Sequence, residues 1–143
     1  MGQGKKVYQD KHVYVGALYH GQKHGLGTQK YADGGLYEGE FQRDRRHGRG
    51  KKVTPGKDSY VGSWQNNVRH GQGKVTCTKG VAEGEFRHNW MYNGKGVIMH
   101  SNGSTGEGEW IQGILHGTLT NVDGVVKEGT FAEKDIFVKK VER

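Results

Sequence analysis

The sequence predicts an all-β fold: an elongated, twisted, open antiparallel sheet of stacked β-hairpins, solenoid-like in its repetition. Three observations predict it. A unit of about 23 residues recurs along the chain, typified by Y-E-G-E-F-Q-R-D-R-R-H-G-R-G from Tyr37 to Gly50. Within each of the first three units a large residue, a glycine and a second large residue alternate, as one face of a strand requires. The chain holds 26 glycines and 1 proline among 143 residues, and the glycines fall at fixed offsets instead of scattering as in a flexible linker.

Residues 1–13 read as a partial unit, with Gly2-Gln3-Gly4 as its end. Full units start at 14, 37, 60, 82 and 106, and residues 127–143 make a partial unit or cap. In the first, Tyr14, Gly16 and Leu18 share a face; His24-Gly25 is expected to turn the chain, and Asp33-Gly34 to pass it to the next unit. The second repeats this with Tyr37, Gly39, Phe41 and His47-Gly48, the third with Tyr60, Gly62, Trp64 and His70-Gly71. The opening tyrosine is then replaced by Ala82, Gly106 and Lys127. The fourth unit has one extra residue before Asn93-Gly94, and the fifth has Leu119 where a glycine is expected. Ile136 and Val138 alternate in the tail, which fits either a last strand or a short capping helix. The large fifth residue of each unit, Leu18, Phe41, Trp64, Phe86, Trp110 and Phe131, should form one continuous buried row. Two strands per unit at ~4.8 Å spacing give a rod on the order of 50–60 Å long.

These residues, Y-E-G-E-F followed by R-H-G-R-G at a 23-residue period, closely resemble the MORN repeat (membrane occupation and recognition nexus). The resemblance implies a scaffold or adaptor with an aromatic-lined groove, often dimeric and found in junctional, flagellar and cytoskeletal proteins. It implies a cytoplasmic place at the cytoskeleton or membrane periphery. The groove aromatics would be Tyr14, Tyr37, Phe41, Tyr60 and Trp64, taking a partner helix or extended peptide. A homodimer through the C-terminal units is a further expectation, since open sheets leave edge strands unpaired. A regulatory array within a larger protein is another reading.

Composition adds a net charge of +7, which favours acidic partners. Arg43, Arg45, Arg46, Arg49, Lys51 and Lys52 cluster around one hairpin and are a candidate patch for anionic phospholipid. Nucleic acid is not expected, because the aromatics are committed to packing. The G-x-G pairs open no helix and no G-x-x-x-x-G-K-[ST] is present, so no nucleotide or other cofactor is expected. One cysteine and histidines at repeat positions make no nucleophilic triad, so no catalytic residue is assigned. Cys77 and His100 occupy equivalent places in adjacent units, ~10 Å apart by strand spacing, too far for easy chelation of a metal within one molecule. No apolar run approaches the ~18 residues that cross a bilayer as a helix, and Met1 to Lys6 has no secretory signal character.

Overall fold

A computed structural model describes residues 2–132; the tail residues Ile136 and Val138 lie outside them. Among the described residues twelve strands form one open sheet in chain order, each antiparallel to the next. β1 (Gly2–Val7) is the leading half-hairpin. The full hairpins are β2 (Val13–Tyr19) with β3 (Gln22–Lys30), β4 (Leu36–Gln42) with β5 (Arg45–Val53), and β6 (Asp58–Gln65) with β7 (Val68–Cys77). β8 (Gly80–Arg87) with β9 (Trp90–Met99) and β10 (Thr105–Ile111) with β11 (Ile114–Thr120) follow, and β12 (Val126–Ala132) opens the last partial unit.

A glycine row crosses the whole sheet. Gly4, Gly16, Gly27, Gly39, Gly50, Gly62, Gly73, Gly84 and Gly94 face one another in succession across nine strands. Inside β9 the row steps from Gly94 to Gly96 and continues through Gly108, Gly117 and Gly129. The row exists because large side chains lie flat on it. The Tyr37 ring lies over Gly50 of the neighbouring strand, and Tyr14 and Tyr60 lie likewise over Gly27 and Gly73. A methyl at any of these three glycines would collide with the ring. A single-layer sheet thus builds a core without a second layer, because each ring covers a neighbour's bare backbone and is covered in turn.

The rings interlock in a zigzag. Tyr14, Phe41, Tyr37, Trp64, Tyr60 and Phe86 follow one another edge to face, with centroids 4.9 to 5.5 Å apart. Each such pair contributes about 0.5–1.5 kcal/mol beyond area burial. Phe41, Trp64, Phe86 and Trp110 are buried, and Leu18 and Phe131 pack half-buried against the same cluster, so the six fifth-position residues do form one row. The opening tyrosines make a second row beside it.

The hairpin turns are not at His-Gly. They are two-residue turns at His20-Gly21, Arg43-Asp44, Asn66-Asn67, His88-Asn89 and Gln112-Gly113, with both central residues left-handed, between φ 49° and 83°. That conformation matches the twist of the flanking strands, and Asn and Asp tolerate it. His24-Gly25, His47-Gly48 and His70-Gly71 instead sit within the second strands, at β-bulges. In the first hairpin Gly16 faces Gly27 and Leu18 faces Lys23, so a step of two residues in one strand matches a step of four in the other. Gly25, Gly48 and Gly71 absorb the excess at φ 93°, 78° and 106°.

Side chains at the turns stitch neighbouring hairpins together. Asp44 Oδ1 accepts the Lys23 N–H at 2.8 Å, and Asn67 and Asn89 accept those of Arg46 and Arg69 at 2.9 Å. The main-chain N–H of each turn residue donates back to the same residue's carbonyl.

Candidate functional site

The two faces of the sheet differ in chemistry. On the back, exposed residues of opposite sign pair across strands: Glu38 faces Lys51, and beyond Val61 the series Lys74, Glu83, Lys95 and Glu109 alternates in order. Opposite charges placed directly across strands stabilise each other and leave little net field. The front face carries the aromatic core and, above it, cations.

Three of the front-face cations come from one repeat position. Lys23, Arg46 and Arg69 stand opposite Leu18, Phe41 and Trp64 in their hairpins. Lys23 Nζ lies 5.3 Å from the Phe41 ring centre and 5.5 Å from that of Tyr8, and donates to Gln29 Oε1 at 2.9 Å. The Arg46 guanidinium lies 4.9 Å over Trp64, and it donates to the Tyr31 hydroxyl at 2.7 Å and to the Asn67 carbonyl at 2.8 Å. Arg69 covers Tyr60 at 5.0 Å and pairs with Asp58 at 3.2 Å. Lys52 interrupts the tyrosine row, facing Tyr37 on one side and Tyr60 on the other, with its ammonium 5.1 Å from the Tyr31 ring. Each cation gains from the ring quadrupole beneath it while its stem covers the ring.

This placement changes the meaning of the expected groove. Tyr14, Tyr37 and Tyr60 are 0% exposed, and Phe41 and Trp64 are 4% exposed. The five rings are the core itself, and a partner on this face would meet the cations, Tyr8 and Tyr31 above them. Burial pushes the Tyr60 phenol up to about 12, partly offset by Arg69, and also raises those of Tyr37 and Tyr14. Each of the three hydroxyls donates to the main-chain carbonyl of a residue the bulge leaves unmatched in its hairpin: Ala17 at 2.6 Å, Glu40 at 2.7 Å and Ser63 at 2.9 Å. Burial likewise lowers Lys23 and Lys52, and Arg46 pushes both further down.

The basic cluster is divided. Arg46 and Lys52 belong to the front face, Arg49 and Lys51 to the back, and Arg43 and Arg45 to the turn edge. Strand alternation separates them, so the six do not form the single patch that a contiguous run suggests. Cys77 ends β7 half-buried; His100 is buried beside Ser104, its Nδ1 3.2 Å from the hydroxyl. Among the described residues no group of three His, Cys, Asp or Glu is placed to hold a metal.

A cleft of about 590 Å³ opens on the front face. Arg46, Lys52, Lys57 and Arg69 line one part of it, with Asp58 as the sole carboxylate among its lining residues. Trp90, Met91, Ile98 and Met99 line the other part. The change follows the repeat: the position held by Lys23, Arg46 and Arg69 is held by Met91 in the fourth hairpin and Leu115 in the fifth. Reading the basic residues as a run hid this, yet the signal was present, because a cation precedes His-Gly at Lys23, Arg46 and Arg69 alike.

A comparison with curated proteins finds no match. The MORN repeat matches at residues 14–36, 37–59, 60–81 and 107–118, which is more than half of the chain. With those matches and this sheet of stacked hairpins, the chain belongs to the MORN-repeat family.

Proposed function

We propose that the chain is a non-catalytic scaffold or adaptor module that holds a protein partner in its front-face cleft. The supporting observation is the asymmetry of the sheet. The back face sets opposite charges across strands at Glu38–Lys51, Lys74–Glu83, Glu83–Lys95 and Lys95–Glu109, whereas on the front face Arg46 and Lys52 stand opposite aromatic residues and make no ion pair among the described residues. Half-buried cations over an aromatic bed keep a local field that a partner can neutralise. Every interior strand is paired on both sides, so recognition falls to side chains. The test is site-specific photocrosslinking from Lys57 on the cleft rim, compared with Lys74 on the back face. The expected outcome is a discrete crosslinked protein from Lys57 only. Equal labelling from both positions would remove the cleft as the docking face.

A further inference from the structure

We infer that the cleft takes an amphipathic helix with its acidic residues in one half and its apolar residues in the other, lying across the strands. This rests on the docking reading above and names the chemistry of the partner. The acidic half would sit over Arg46 and Lys52, the apolar half against Trp90 and Met99.

Three observations carry it. The first is convergence. Arg46 holds the hydroxyl of Tyr31 at 2.7 Å while the Lys52 ammonium lies 5.1 Å from the same ring, so two cations bracket one residue. The second is an unmet need. Neither cation makes an ion pair among the described residues, whereas Arg69 has Asp58. An incoming carboxylate would meet charges already partly desolvated, where an ion pair is worth more than at an open surface. The third is direction. The cationic part belongs to β5 and β7 and the apolar part to β9, so charge gives way to apolar surface along the sheet.

The same layout selects a helix over an extended chain. From β5 to β9 is four strand spacings, ~19 Å, which ~13 helical residues cover. A strand crossing at right angles could not join the ladder, and its own N–H and C=O groups would face side chains. A helix satisfies its backbone internally and presents acids and apolar groups at i, i+3 and i+4.

The test uses the full chain and two synthetic, fluorescently labelled helical peptides of identical composition. One has glutamates in its first half and leucines in its second; the other interleaves them. Fluorescence anisotropy should show the block peptide binding about tenfold tighter, a difference equivalent to ~1.4 kcal/mol. Lys52→Gln should erase most of that advantage, and so should glutamate-to-glutamine changes in the peptide, which leave the protein untouched should Arg46→Gln unfold it. Equal affinity for the two peptides, no binding by either, or affinity indifferent to Lys52→Gln and to the peptide changes would overturn the inference. Vesicles rich in phosphatidylserine form a parallel arm: binding there that depends on Lys52, with none to the block peptide, would replace the helix by a lipid surface. A crosslink from Lys57 combined with failure of the block peptide would leave the docking reading standing and discard only the partner's chemistry.

Discussion

The first three hairpins and the next two solve one packing problem differently. In β2–β3, β4–β5 and β6–β7 a tyrosine, a bare glycine on the facing strand and a bulge of two extra residues occur together. In β8–β9 the tyrosine is Ala82 and the bulge shrinks to one extra residue, since Glu85 faces Asn93 and Phe86 faces Met91. In β10–β11 the tyrosine is Gly106 and pairing is regular from end to end. The three features behave as one device. The bulge leaves a residue unmatched, the phenol hydroxyl caps that residue's carbonyl, and the glycine makes room for the ring. Without the ring the bulge shrinks in β8–β9 and is absent from β10–β11, and Met91, Ile98 and Leu115 fill the core instead. Trp64 shows the cost: its indole N–H reaches the Gly50 carbonyl at 3.0 Å, while that of Trp110 is buried without a partner among the described residues.

Removing the ring should break the comparison hardest. Tyr37→Ala is expected to destabilise by about 3–5 kcal/mol in urea denaturation, more than Leu115→Ala, for which about 2–5 kcal/mol is the usual range. The opposite ordering would mean that the aromatic half is not the stiffer one. Next, Gly50→Ala should cost about 1–3 kcal/mol or somewhat more by overpacking against the Tyr37 ring, whereas an added methyl at Gly2 meets nothing within 4 Å and should cost less. In a double-mutant cycle Tyr37→Ala should relieve most of the Gly50→Ala penalty; simple additivity would show that ring and glycine do not share that space.

A smaller effect isolates the hydroxyl. Tyr60→Phe should cost about 1–3 kcal/mol by leaving the Ser63 carbonyl without its donor. The Tyr60 phenol is raised from 10.0 to about 12 in the folded chain, so its contribution is fully present below pH ~10 and is lost as pH rises toward 12. Wild type should therefore lose stability over that window more steeply than Tyr60→Phe does. The smallest effect belongs to Lys52. Burial lowers its pKa, so its charge costs stability at neutral pH, a penalty that fades as pH rises through the folded value toward 10.5. Lys52→Met should leave the melting temperature unchanged or slightly raised at pH 7; a clear fall would show that its hydrogen bond to Thr54 outweighs its desolvation.

Much of this sheet was legible in the sequence. The period, the alternation and the row of fifth-position residues follow from patterning, which records which face is buried. The His-Gly pairs misled, because glycine marks a left-handed backbone without saying whether a turn or a bulge needs it, and the true turns at Arg43-Asp44 and Asn66-Asn67 contain no glycine. The candidate site was half legible. The tyrosines were correctly placed on the inner face, but single-strand alternation cannot reveal that a cation from the partner strand will cover them. That depends on register, which the bulge shifts by two residues.

The step in the glycine row inside β9 bears on how such an array can lengthen. Ahead of β8 every hairpin offers the same pairing offset to both neighbours, so a duplicated 23-residue segment inserted there would find matching edges. Beyond β9 glycine again faces glycine through Gly108, Gly117 and Gly129, so the same edges are offered there. β9 alone presents different glycines to its two neighbours, Gly94 to β8 and Gly96 to β10, so a copy of an N-terminal strand put in its place would join the two halves two residues out of step.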